Sequence, residues 1–583
     1  MKSVDIGTGI CTDKAISLYT NGRIYTVAGA DWELHPTESM AVFADGSIFA
    51  VGFETEIREA IEAGDNFIIE EIDLGGRTVL PGLIDTHVHA PGSALTEKFE
   101  IYLYKERGLP GTLRVIEDFV KAHPEREIYF GTGFFMSIFR GDSDTPRVLL
   151  DRIEAGKPFF LESSDGHSLW LNTAALDLYG ITADTEVPIG GKIHLDPLTG
   201  EPSGILTDAQ VLANPKPSYT FAEQVEAARY YQQKQIAWGH TAALHIAPHF
   251  GNPEAIAAVA AAGDWKMRVN MCALAEPDRL IGETLQEAHA YEKMFAPYGD
   301  LFRTTSVKFF EDGVVEGLTA YLNEPYEEAA AGRPDYRSES VWKQDQLKES
   351  FKLVTAAGYQ IIVHSIGDAA TRETLQALKA ARAEAAGSAG GRETRDVITH
   401  LHVVGEAEID LLKELDIIAS CQPFWHFKEP FWHEEIEVGH LGEKRAMDAY
   451  PVATILHRGI PVTFSGDYPA SPTNNPFWGI DHAVTRNLAT AEPYVIYGIE
   501  DIESMDDERW LRNPGERISV KEAIEAYTIA GAWQLFRENE IGSLEAGKQA
   551  DFIVIDQDIF AIDPIHIDST KVLSVYIAGE KVL

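Results

Sequence analysis

Along the first eighty residues, apolar and polar positions alternate in short runs broken by Asn-Gly and Asp-Gly pairs. ISLYTNGRIYTV (16–27), SMAVFADGSIFAVG (39–52) and EEIDLGGRTVL (70–80) share this pattern, which predicts half-buried strands joined by tight turns. The alternation returns near the other end, in ADFIVIDQDIF (550–560) and LSVYIAGEKVL (573–583). Two strand-rich ends around a long middle predict one small β-domain built from residues 1–78 and 531–583.

The middle has a different rhythm. Short apolar runs recur, each ending in polar residues: VLPGLIDTH (79–87), TAALHIA (241–247), MRVNMCA (267–273), TTSVKFF (304–310), YQIIVHS (359–365), DVITHLH (396–402), DIIASCQ (416–422) and IPVTFSG (460–466). Helical stretches such as QLKESFKLVTAAG and AEIDLLKELD separate several of them. Eight strands with helical crossovers predict a (β/α)₈ barrel over residues 79–91 and 236–530, with its site at the strands' C-terminal ends. The count closes only if residues 92–235 form an insertion after the first strand. EIYFGTGF (127–134) and PFFLESSDG (158–166) supply strands of that insertion's own.

Composition narrows the classes. The chain has 583 residues, 45% of them apolar, enough for a large core and too many for one ordinary domain. Its 49 basic against 91 acidic residues leave a net charge of −42, which argues against nucleic acid and anionic membrane surfaces as partners. Three scattered cysteines, Cys11, Cys272 and Cys421, form no disulfide framework and no CxxC site, as suits a reducing compartment. The N-terminal stretch lacks the apolar core of a signal peptide, and no run approaches the ~20 apolar residues of a membrane span. A cytoplasmic protein with a small-molecule substrate is expected, and a homodimer is compatible with the composition.

The chemistry gathers at the predicted strand ends. His87 and His89 lie one residue apart after the first strand, so period-two alternation turns both imidazoles to one face. Two adjacent imidazoles suit a metal ion. Lys308 lies in the fourth strand, His364 ends the fifth, His400 and His402 end the sixth, and Asp467 follows the eighth. In a barrel these ends converge on one cup. Taken singly, each has a plainer reading: a hydrogen-bonded strand-end histidine, a lysine snorkelling to the rim, an aspartate in a turn. Their coincidence is what points to a metal site.

These residues also carry a resemblance. LPGLIDTHVH, DGHSLWLNTAAL, GEPSGIL, VKFFEDGVVEGLTAYLNEPY, HSIGDAA, ITHLHVV, SGDYPAS and the tail GSLEAGKQADFIVID resemble the amidohydrolase superfamily, specifically amidohydrolase family 3 and its YtcJ-like branch, which includes N-substituted formamide deformylases. The resemblance implies an α/β fold: a distorted (β/α)₈ TIM-like metal-dependent hydrolase barrel, a small β-sandwich from both termini, and an inserted α/β subdomain after strand one. It also implies hydrolysis of a non-peptide C–N bond, amide or N-formyl. His87 and His89 would bind one divalent metal, and His364 and His400 a second. Lys308, once carboxylated, would bridge the two. Asp467 would hold the attacking water and act as general base, and His167 and Asp165 would reach the substrate. The sixth strand departs from the pattern: relatives often read I-E-H-x-Q where this chain has I-T-H-L-H. His402 therefore stands where glutamine is usual, on His400's face by alternation, where it could compete as a ligand, stand behind the ligands or touch the substrate.

Zinc is the first expectation for imidazole-rich ligands, with iron, manganese and nickel also compatible, and one or two ions both remain open. Trp425, in the aromatic stretch CQPFWHFKEPFWHEE, is expected to line a partly apolar pocket. A deaminase or an ester or lactone hydrolase could use the same scaffold, and an inactive binding protein is the reading of a different class.

Overall fold

The computed structural model describes residues 5–6, 15–63, 67–106, 108–139, 144–163, 168–187, 192–207, 209–213, 215–247, 252–385, 395–471 and 473–583. By contacts within the chain it divides into a unit of residues 1–92 and 231–583 and a unit of residues 93–230.

Within the larger unit, eight strands form one parallel sheet in chain order: β1 (Leu83–Val88), β2 (His240–Ile246), β3 (Arg268–Leu274), β4 (Phe302–Phe310), β5 (Gln360–Ser365), β6 (Val397–His400), β7 (Ile418–Cys421) and β8 (Val462–Phe464). Most of their residues are buried on both faces, as expected for a parallel sheet covered by helices. The crossovers include helices Gln344–Ala356 before β5, Asp368–Ala385 before β6 and Glu406–Glu414 before β7. Ile84, Leu244, Ile246, Leu274, Ile362, Val397 and Ile418 form a shared core with Ala532 and Leu535 from the helical segment after the barrel.

Between β8 and β1, side chains and loops replace the ladder. Thr86 Oγ1 donates to the Phe464 carbonyl at 3.0 Å. The Asp467 amide donates to the His87 carbonyl and the His89 amide to the Tyr468 carbonyl, both at 3.0 Å. The first strand and the loop after the last are therefore pinned together where the histidine pair emerges.

The run VLPGLIDTH is two strands rather than one. Thr78–Pro81 pairs antiparallel with Phe552–Ile555, and Leu83–Val88 enters the barrel. Gly82 is the joint, and a Cβ there would lie 2.2 Å from Oγ1 and 2.4 Å from Cγ2 of Thr241. Alternation marks both halves as buried strand but carries no information about which sheet each joins.

The strand-rich ends fold together. One five-stranded sheet joins Arg23–Ile24, Thr78–Pro81, Phe552–Ile555, Val572–Ile577 and Glu580–Lys581, and a second comes from N-terminal strands alone. Their common core includes Tyr19, Met40, Val42, Ile48, Phe552, Val554 and Tyr576. The Phe552 and Tyr576 rings stack at 4.3 Å, and the Tyr19 ring meets both edge-on. The smaller unit has a six-stranded mixed sheet with its own core around Ile116, Phe134, Phe159, Leu161 and Trp170. Among the described residues, no helix is long and apolar enough to cross a membrane.

Candidate metal centre

β1 runs straight into the site. His87 is buried, His89 is partly exposed, and Nε2 of each lies 3.3 Å from Oδ1 of Asp467. The period-two expectation for this pair therefore matches the geometry. One ligand atom each from His87, His400 and Asp467 lies within 4.8 Å of the others. The His400 ring is 5.2 Å from that of His87 and 4.4 Å from that of His364. Lys308 Nζ stands 3.4 Å from His87 Nε2 and 4.9 Å above the Phe310 ring. Lys308 is fully buried, so it does not snorkel to the rim.

The backbone is bent where the ligands are presented. His400, Leu401 and Asp467 have φ of 82°, 51° and 50°. Side-chain-bearing residues enter this region only at a cost, and such strain gathers at functional sites. The bend also relocates His402. Because His400 and Leu401 leave the extended conformation, alternation ends and His402 no longer shares His400's face. Its Nε2 lies 3.0 Å from Oε1 of buried Glu437, and its ring stacks on Tyr450 at 4.3 Å. Glu437 also pairs with His433 and Arg512.

Burial sets the protonation of these groups. It drives the His87 and His400 imidazoles well below their ordinary range, helped by Lys308 and the neighbouring rings. His364 is pushed down to about 3, again by burial first and Lys308 second. Burial lowers Lys308 to about 8. The rings of His87, His400 and His364 are thus neutral near pH 7, the form that donates a lone pair to a metal.

The donor set fits a divalent cation. Asp467 Oδ1 is buried and, among the described residues, no hydrogen bond reaches it, although two imidazole nitrogens stand 3.3 Å away. The outward nitrogens are engaged instead: His87 Nδ1 with Thr399 Oγ1 at 3.1 Å and His400 Nδ1 with Gln422 Oε1 at 2.8 Å. Lone pairs facing one another in a dry site repel unless a cation stands among them. Ligand atoms about 2.1 Å from a shared ion at the tetrahedral angle lie about 3.4 Å apart, close to the 3.3 Å from Asp467 Oδ1 to Nε2 of His87 and of His89.

His364 turns Nε2 to the Gly313 carbonyl at 3.0 Å. Trp425, half-buried, stacks on His400 at 5.6 Å, whereas Phe424 and Phe427 pack into the protein. Asp165, His167 and Cys11 lie outside the described residues. Cys272 and Cys421 are free, buried thiols.

Asp85 carries no role in the sequence reading, yet it ties the site together. Its buried carboxylate accepts the His87 amide at 2.9 Å and Asn474 Nδ2 at 2.6 Å. It also bonds the backbone of Gly466, next to Asp467. The signal is an acid two residues before the pair, but Asn474 and Gly466, which it joins to His87, lie hundreds of positions away.

Comparison with known proteins places these features in context. The amidohydrolase family profile matches residues 70–583. A putative amidohydrolase, YtcJ, of Bacillus subtilis is 26% identical over 97% of this chain and 98% of its own length. An N-substituted formamide deformylase of Arthrobacter pascens is 26% identical over 92% and 93%. Among solved structures, an uncharacterized metal-dependent hydrolase from Pyrococcus furiosus superposes with a TM-score of 0.66 at 23% identity, covering 94% of this chain and 100% of that one.

Proposed function

The chain belongs to the amidohydrolase family, and on that premise we propose that it is a metal-dependent hydrolase of a non-peptide C–N bond, an amide or N-formyl group, in a small and partly hydrophobic molecule. The carrying observation is the buried, unbonded Oδ1 of Asp467 facing two imidazoles at 3.3 Å. The N-formyl preference draws support from the similarity to a formamide deformylase, and the hydrophobic wall from Trp425 stacked on His400.

His87, His89, His400 and Asp467 would hold the ion, with zinc first by donor type. Were two ions held, His400 would leave the first to His87, His89 and Asp467 and join His364 at the second, with Lys308 as the bridge once carboxylated. Lysine carboxylation needs a neutral amine, and burial brings Lys308 to about 8, where a useful fraction is unprotonated at neutral pH. When bound, a divalent cation brings water's pKa down to about 7 and polarises a carbonyl oxygen.

The chain's own residues do the rest. His87 and His400 are neutral, with their Nδ1 atoms engaged away from the cup, and their Nε2 lone pairs would be taken up by the ion, so neither would be free to accept a proton there. Asp467 is the acceptor. It takes a proton from the attacking water and passes it to the departing nitrogen as the C–N bond breaks, yielding a carboxylate or formate and an amine. General acid–base transfer of this kind contributes about 10²–10⁴-fold.

The test joins metal analysis of the purified protein to a panel of N-formyl, N-acyl and cyclic amides. The expected result is bound metal and release of formate or carboxylate in step with amine. Ammonia release alone would identify a deaminase, and a protein that takes up no metal would overturn the reading.

A further inference from the structure

Gln422 is fully buried just past β7, and its side-chain amide spans three neighbouring strand ends. Oε1 lies 2.8 Å from His400 Nδ1. Nε2 donates to Thr399 Oγ1 at 3.2 Å and to Ser465 Oγ at 2.8 Å. Thr399 Oγ1 in turn lies 3.1 Å from His87 Nδ1. One amide therefore reaches two imidazoles of the candidate centre, His400 directly and His87 through a single hydroxyl. It also reaches the residue two before Asp467.

The chemistry of these partners assigns the protons. A carbonyl oxygen can only accept, so His400 must carry its proton on Nδ1. Nε2 of His400 is then a bare lone pair directed into the cup. Thr399 Oγ1 receives the Gln422 amide hydrogen and leaves its second lone pair for the Nδ1 proton of His87. The opposite tautomer of His87 would set an Nε2 hydrogen against Asp467 Oδ1, but among the described residues no hydrogen bond of acceptable geometry reaches that oxygen. Both rings are thus held in the form that can ligate. Outer partners of metal-binding histidines act in this way, fixing tautomer and ring orientation.

We propose that Gln422 is a positioning residue: its single amide, with Thr399 as relay, locks His87 and His400 in the tautomer and orientation that present Nε2 to a metal ion. This rests on the reading of the site as a metal centre. Nothing about the amide marks it in the sequence, since glutamine is not a usual ligand and its partners lie on other strands.

The test is zinc affinity, measured by competition with a chromogenic chelator, for the wild type, Gln422→Met, Thr399→Val and the double variant. Methionine and valine preserve volume and remove the hydrogen bonds. Gln422→Met is expected to weaken zinc binding about 10–100-fold, and Thr399→Val to weaken it less. Because both act on His87 along one path, the double variant should bind no worse than Gln422→Met alone. In the metal-free protein, ¹⁵N chemical shifts should report His87 and His400 as Nδ1-protonated imidazoles, and both should change tautomer in Gln422→Met. Wild-type zinc affinity in Gln422→Met, or losses that add in the double variant, would overturn the proposal. Should Gln422→Met not fold, an unchanged affinity in Thr399→Val does so by itself. A wild-type protein that binds no zinc would instead defeat the reading of the centre.

Discussion

Asp467 holds a left-handed backbone, φ 50°, with one carboxylate oxygen unbonded in a buried site. A residue that gives up both an easy conformation and a hydrogen bond is held there by its surroundings, here by its amide bonded to the His87 carbonyl. Asp467→Asn keeps the shape and one oxygen, so metal content should persist while turnover falls about 10²–10⁴-fold; near-normal rates in the variant would remove Asp467 as the proton acceptor. His87→Ala and His89→Ala each remove a nitrogen 3.3 Å from Asp467. Both should emerge from purification with less metal by elemental analysis, and unchanged content in both would dismiss them as ligands. Glu437 allows a test away from the centre. Burial alone would raise its carboxyl, but Arg512, His402 and His433 hold it well below the ordinary carboxylate range. A depressed acid lends stability above its unfolded value and loses that stability as the pH falls through its folded one. Glu437→Gln, which strands Arg512, should cost about 3–5 kcal/mol at pH 7. The gap from wild type in denaturant midpoint should narrow below about pH 4.5; a gap constant from pH 7 to pH 3 contradicts this. The ligand candidates were legible because imidazoles and a carboxylate at strand ends stand out. Gln422, Glu437 and Thr399 were not, because their meaning lies in partners on other strands.

At the level of elements, all eight barrel strands could be read from apolar runs ending in polar residues, since a buried parallel strand has few other ways to appear. The division at Gly82 could not, because both halves are equally apolar. It has a measurable consequence. The Thr241 side chain occupies the space a Cβ would need, so Gly82→Ala must push β1 away from β2 or turn Thr241. Overpacking of this kind costs about 1–3 kcal/mol and should appear as a lower urea midpoint; an unshifted midpoint would show that the joint has slack. The shift of His402 away from His400's face is the same lesson in reverse. Alternation holds only while the backbone stays extended, and no periodicity announces the turn at His400 and Leu401.

Across the whole molecule, a charge of −42 means that folding gathers many like charges. Added salt screens them, with a Debye length of about 10 Å at 0.1 M. The melting temperature should therefore rise by a few degrees between about 0.05 and about 0.5 M sodium chloride, and a fall over that range would show that attractive pairs dominate instead. The sheet that joins Thr78–Pro81 to Phe552–Ile555 has a consequence for biosynthesis. At about 5–20 residues per second, the earlier strand leaves the ribosome tens of seconds before its neighbour has been made. Throughout that interval an apolar ribbon waits with one edge bare, as a ready target for chaperones or for a second nascent copy, until the tail of the chain arrives to cover it.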